Sequence, residues 1–328
     1  MRTVWEYLLE TESRRLVHES AHLANGFFKA NHFLVLPYSS KLPADNCSAF
    51  PDLPYLSVPR FWDRCSRINT HAYNIQIPAD LLADAERLLS RANLPQPDWS
   101  KVQAQWTKSQ TKIISEIYKL IPSKKGWIKK VIIYPTAYGT TCSFNLLTKP
   151  GTVKIWLRVD QGVGAIVEAI LSAITRADVY EQLNGLWQES EIIVDWLIAY
   201  SSLSKLLPDK PATIKHTRSK QNAALIQVSQ NFLRKIGAPE IGVSAIKELD
   251  SNGFTSREKQ LLDLLLSRSP ALVTIDEIGD LLFKSNPDQF SLYAIAKTIQ
   301  RLRDKLESHG ISGSFIQTKR GEGYLLIN

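Results

Sequence analysis

The stretch FTSREKQLLDLLLSRSPALVTIDEIGDLLF, residues 254–283, followed by SLYAIAKTIQRLRDKLESHGISGSFIQTKRGEGYLLIN, residues 291–328, decides the fold of the C-terminal part. Thr255 with Glu258 three positions on has the form of a capping box, which satisfies orphan N–H groups at a helix start, and it opens an apolar helix through Leu266. Thr274 and Glu277 repeat the device ahead of Ile275 to Phe283. Leu292, Ile295, Ile299, Leu302 and Leu306 recur at helical spacing and predict a third helix, with Lys297, Gln300, Arg301 and Asp304 off its apolar stripe. Phe315 to Thr318 and Tyr324 to Ile327 carry strand formers around Lys319-Arg320-Gly321-Glu322-Gly323, so a hairpin tipped by two cations and two glycines follows. Three helices and a basic hairpin describe a winged helix.

Three motifs in this segment resemble the DNA-binding domain of OmpR/PhoB-type transcriptional regulators: Phe254-Thr255-Ser256-Arg257-Glu258, Ile299-Gln300-Arg301-Leu302-Arg303-Asp304-Lys305-Leu306, and Thr318-Lys319-Arg320-Gly321-Glu322-Gly323-Tyr324. The resemblance implies that the third helix enters the major groove of double-stranded DNA and that the wing reaches the minor groove. It would turn Lys297, Thr298 and Arg301 to the groove, put Arg303 and Thr318 on phosphates and make Arg320 the wing contact, with Lys319 beside it at the hairpin tip as a further DNA-binding cation. This chain departs from the family pattern at Tyr293 and Gln300, where arginine is frequent, and by the lack of an evident four-stranded platform before Phe254. Charge alone decides little here, since residues 254–328 hold 10 Lys and Arg against 9 Asp and Glu, and a run such as Arg301, Arg303 and Lys305 also suits a solvated helix face.

The 328 residues suggest two or three domains, and the formal charge of +8 favours an anionic partner. Cys47, Cys65 and Cys142 form no pairable or metal-binding pattern, no signal peptide or membrane span is read, and a soluble, cytoplasmic protein is expected. Upstream, helical periodicity predicts helices over Val4 to Phe28, Ala79 to Ala92, Trp99 to Ile121, Gly164 to Thr175 and Glu189 to Leu207. Prolines keep Asn31 to Pro59 extended, and strands fit Val131 to Tyr134, Thr141 to Leu147 and Thr152 to Val159. Pro208 to Asn222 reads as a linker, with a further helix near Ala223 to Ile236. Lys101, Lys108, Lys112 and Lys119 form a stripe in a segment, 101–130, of 8 lysines and one acid; it is read as a solubilising face, with phosphate contact as the alternative.

His18-Glu19-Ser20-Ala21-His22 matches the H-E-x-x-H pattern of zinc metallopeptidases, two metal ligands around a general base. The first predicted helix turns Trp5, Leu9, Leu16, Leu23 and Phe27 to one side and His18 and His22, with Thr11, Arg15, Asn25 and Lys29, to the solvent side. No third ligand stands at a telling distance, so no metal or other cofactor is expected. A second region, about Val131 to Ser201, resembles SprT-like zincin metallopeptidases through Tyr138 to Ser143, Val153 to Arg158 and Ile166 to Leu171. The resemblance would put Glu168 at the catalytic glutamate but Val167 and Leu171 at the histidine positions, and aliphatic side chains cannot ligate zinc. That implies a zincin-shaped scaffold without its metal, a pseudo-metallopeptidase, with Glu189, Glu191 and Asp195 as ordinary salt-bridge formers.

The sequence is therefore read as α+β: a mixed regulatory domain over 1–207, a linker with a helix over 208–253, and a winged helix-turn-helix over 254–328. No phosphoreceiver pattern precedes it. The expected function is sequence-specific DNA binding in transcriptional control by a non-enzyme, with an effector or protein partner at the N-terminal domain. A homodimer is kept open. The alternatives are a zinc metallopeptidase using His18, Glu19 and His22, and a winged helix that binds protein.

Overall fold

The computed structural model describes residues 2–38, 47–70, 75–92, 94, 96–183, 185, 187–207, 223–249, 253–284 and 290–327. The expected linker 208–222 lies outside them. Contacts group the chain into two compact units that interleave in sequence: Met1–Leu16, Leu34–Pro54 and Pro78–Phe232 in the first, and Val17–Phe33, Tyr55–Ile77 and Leu233–Asn328 in the second.

Elements follow in the order β1 (Arg2–Trp5), α1 (Leu9–Ala24), α2 (Phe27–Ala30), β2 (Leu34–Pro37), β3 (Cys47–Phe50), α3 (Phe61–Ser66), α4 (Ala79–Ala92) and α5 (Ser100–Leu120). Next come β4 (Ile128–Thr136), β5 (Cys142–Phe144), β6 (Gly151–Arg158), α6 (Val163–Gln182), α7 (Trp187–Tyr200), α8 (Ala223–Lys235) and α9 (Val243–Lys247). The chain closes with α10 (Ser256–Arg268), β7 (Val273–Thr274), α11 (Ile275–Phe283), α12 (Leu292–Ser308), β8 (Ile316–Lys319) and β9 (Gly323–Leu326). The mixed α and β content is as expected. Among the described residues no helix is long and apolar enough to cross a membrane.

The first unit is built on a four-stranded sheet in the order β1-β4-β6-β5, with β1, β4 and β6 parallel and β5 antiparallel to β6. Helix α6 is buried round most of its first three turns, with Ile166, Val167, Ile170, Leu171 and Ile174 fully buried, and the charged residues Arg176, Asp178 and Glu181 gather in its C-terminal half. Helix α5 sends Val102, Trp106, Ile113 and Ile117 into the same core, on the predicted face, while Lys101, Lys108, Lys112 and Lys119 stay exposed. Glu191 pairs with Arg176, so one of the downstream acids is the salt-bridge partner expected.

The single helix expected over Val4 to Phe28 is instead three elements. Arg2 to Trp5 pair in parallel with Lys130 to Ile133, and the Thr3 hydroxyl accepts from the Trp106 indole at 3.0 Å and donates to Gln110 at 2.8 Å. Sheet pairing supplied by distant residues outweighs the local helical spacing. At the other end Gly26 has φ +81°, and a Cβ there would stand 2.7 Å from the Phe315 ring, so the turn between α1 and α2 needs glycine. The predicted faces of α1 also change. Leu9, expected on the apolar side, is 45% exposed, whereas Arg15 and Asn25, expected in solvent, are each 1% exposed. The helix is enclosed round most of its circumference, a situation that periodicity cannot separate from a surface helix.

The second unit holds the core of the C-terminal segment. Leu261, Leu265, Ile278, Ile295, Ile299, Leu302, Leu306, Phe315, Ile316 and Leu326 are buried together, joined by Val243 and Ile246 of α9 and Ala30 of α2. Both predicted capping boxes form: Thr255 Oγ1 accepts from Glu258 N while Glu258 accepts from Thr255 N, and Thr274 and Glu277 do the same. Leu292, assigned to the apolar stripe, is the first residue of α12 and is 61% exposed. Strands β8 and β9 form the predicted hairpin, and β7 adds a third strand in the order β7-β9-β8, Val273 facing Tyr324 and Thr274 facing Gly323. Among the described residues before Phe254, α8 and α9 stand where the resemblance implied a sheet platform.

Candidate nucleic-acid interface

Helix α12 starts at a Ser291 cap, whose Oγ accepts from Ala294 N at 3.0 Å, and buries Ile295, Ile299, Leu302 and Leu306. That fixes its rotation. Lys297, Gln300, Arg301 and Asp304 are exposed as the periodicity required, with Gln300 Nε2 donating to Asp304 Oδ1 at 2.8 Å. Thr298 is half-buried and its hydroxyl donates back to Ala294 O at 2.9 Å. Tyr293, at the family's arginine position, is 69% exposed.

The hairpin turns through Arg320, Gly321 and Glu322, with Glu322 N donating to Lys319 O at 2.9 Å. Gly321 has φ +76°, a left-handed conformation that glycine adopts without Cβ strain. Arg320 is exposed and Lys319 half-buried, so two cations stand at the tip. Tyr324, beside them, has its phenol pushed above the usual range by burial, against the charges of Arg303 and Arg320.

Arg303 and Thr318 bind each other across the interface. Arg303 is 8% exposed; its Nε and Nη2 donate to Ile316 O at 3.1 and 2.7 Å, and Nη2 donates to Thr318 Oγ1 at 3.0 Å. A guanidinium held in this way ties α12 to β8 and sets the angle at which the wing leaves the helix. The motif marks Arg303 but not this geometry, because burial on the wing side depends on where β8 packs. At the opposite end of the motif region, Arg268 Nη1 lies 2.8 Å from Glu277 Oε1. Bonds from the Thr274 N–H and hydroxyl, then the Arg268 charge, hold the Glu277 carboxyl below its usual range.

The zinc-pattern residues make a different kind of site. His18 and His22 are half-buried rather than solvent-facing; their rings lie 4.5 Å apart, and His22 meets the Phe27 ring at 4.4 Å. Glu19 is buried, with Oε1 3.8 Å from His18 Nδ1. Enclosure of α1, not solvation, accounts for these polar residues. Among the described residues no group of three or more His, Cys, Asp and Glu is placed to hold a metal ion. Val167 and Leu171, at the two positions where a zincin would carry histidines, are fully buried in the core.

Residues 251–326 match the family described as transcriptional regulatory protein, C terminal. No curated protein matches the chain. No solved structure matches it either. The family match, on a segment with the helices and hairpin described above, is that of an OmpR/PhoB-type DNA-binding domain, and it supports a DNA-binding transcriptional regulator.

Proposed function

We propose that the chain, ending in this OmpR/PhoB-type domain, regulates transcription by sequence-specific binding of double-stranded DNA under the control of an N-terminal part that is not a phosphoreceiver. The observation that carries the reading is the pairing of an exposed α12 face, Lys297, Gln300 and Arg301, with a wing whose two tip cations are braced to the same helix through Arg303. Lys297, Thr298 and Arg301 are assigned to the major groove, and Lys319 and Arg320 to the wing contact. Arg303 and Thr318, read from the resemblance as phosphate ligands, are assigned the task of positioning the wing, since Arg303 is buried and donates to Ile316 O and Thr318 Oγ1. The first unit has β1, β4 and β6 parallel with β5 reversed, and the sequence lacks the acidic pair and later lysine of a receiver, which supports control by another signal.

Arg301 supplies the direct test. Its guanidinium is exposed on the outward face, and a bidentate contact to a base edge is worth about 1 to 3 kcal/mol of discrimination. With a duplex selected from a random library by the wild-type protein, Arg301→Ala should weaken binding by that amount and broaden the selected consensus. Binding of selected and random duplexes by Arg301→Ala just as by the wild type would instead favour a protein-binding winged helix.

A further inference from the structure

A cavity of about 200 Å³ in the first unit is lined by Tyr7, Leu9, Glu12, Leu89, Leu94 and Tyr138. Leu9 is half-exposed, so the cavity reaches the surface beside the first turn of α1. Glu12 is 5% exposed. One of its oxygens, Oε2, accepts from the Thr136 hydroxyl at 2.9 Å, and the other, Oε1, is buried with no hydrogen-bond partner. Burial raises the Glu12 carboxyl to about 7, against the Thr136 hydroxyl, the Tyr138 phenol, the Arg15 guanidinium and the Ala137 backbone N–H. The Tyr7 phenol is itself pushed upward by burial and by the Glu12 charge. Arg15, the cation nearest in this set, is turned to Thr140, donating to its carbonyl at 3.1 Å and its hydroxyl at 3.2 Å. Tyr138 donates its hydroxyl to the Glu12 backbone carbonyl at 2.5 Å, which holds that turn of α1 in place.

A buried carboxyl oxygen without a donor is costly, and natural proteins keep such groups where a ligand or water completes them. An anion would be repelled by Glu12, whereas a cation gains both the carboxylate and the aromatic lining. We propose that this cavity binds a small organic ammonium, which donates to Glu12 Oε1 and lays its apolar part against Leu9, Leu89 and Leu94. The proposal deepens the reading of the N-terminal part as the sensory one and rests on it for its regulatory meaning. The groups facing Glu12 are Tyr7, Arg15, Thr136, Tyr138 and the Ala137 N–H, and Glu12 itself titrates near neutrality. Below about pH 7 an incoming cation must displace the Glu12 proton; above it the carboxylate is already formed. Affinity should therefore rise about tenfold from pH 6 to pH 8 and then level off.

The test is calorimetric titration of the full chain, without DNA, using butylammonium, cyclohexylammonium and benzylammonium chlorides, with cyclohexanol as a neutral match in shape. Saturable binding of at least one ammonium is expected, at least tenfold tighter than cyclohexanol and tightening with pH as above. Glu12→Gln keeps the volume and the Thr136 bond, and should abolish both the preference and the pH dependence while circular dichroism stays as in the wild type. Failure of all three cations to bind the folded wild type, equal binding of cyclohexanol, or unchanged binding by Glu12→Gln would overturn the assignment. DNA binding by the same preparation, measured without amine, tests the regulator reading separately, so either can fail alone.

Discussion

Gly323→Ala is expected to lower the stability of the C-terminal unit by about 3 kcal/mol or more, among the larger effects a single substitution produces. Gly323 opens β9 opposite Thr274, at φ +156°. A Cβ placed there would lie 2.0 Å from Val273 O and 2.9 Å from Thr274 Cα. These are backbone atoms of β7, with no flexible side-chain end to give way, so β9 would have to part from β7 and the wing would lose its anchor. Gly321→Ala is the built-in control. It has φ +76° but nothing within 4 Å, so only the left-handed strain of about 1 to 2 kcal/mol should appear. Urea denaturation of the full chain, followed at the C-terminal unit, should show Gly323→Ala unfolding well before Gly321→Ala. Coincident midpoints would mean that β7 and β9 do not approach as described.

Arg303→Met is expected to cost about 2 to 3 kcal/mol, because charged hydrogen bonds to Ile316 O and Thr318 Oγ1 are lost from a site shielded from water. Methionine fills much of the same volume, so the loss reports the bonds more than a cavity. With the wing untied, DNA affinity should fall on selected and random duplexes alike. A phosphate ligand would behave differently: its removal would flatten the dependence of affinity on salt while leaving the denaturation midpoint where it was. Measuring both quantities on one variant separates a brace from a phosphate contact.

The C-terminal fold is legible in sequence because its determinants are local. Each capping box is complete within four residues, and the apolar stripe of α12 lies within one helix. The exposed positions Lys297, Arg301 and Arg320 follow from that stripe and from the hairpin tip. What the sequence hides comes from contacts between distant segments. Trp5 fits a helical stripe but lies in β1, because residues 128–136 offer it a parallel partner. Arg303 shares the charged run with Arg301, yet β8 covers one and not the other. Gly323 looks like a turn residue, and its closer constraint is the two-residue strand β7, too short to carry a periodic signal. Glu12 resembles any acid in a first helical turn, and its environment is assembled from residues near 7, 89, 94 and 137.

The most direct measurement is a fluorescence-anisotropy salt titration of wild type and Arg320→Ala on two duplexes that share a selected site and differ only in flanks, one A·T-rich and one G·C-rich. Arg320 is exposed at the hairpin tip, where a narrow A·T minor groove would present its most negative potential to it. Each phosphate neutralised contributes about 0.9 to the slope of log K against log salt. The variant is expected to lose more affinity on the A·T-flanked duplex and to flatten the slope by about one. An unchanged slope with equal losses on both duplexes would contradict a wing that enters the groove, and with it the assignment of this face to DNA.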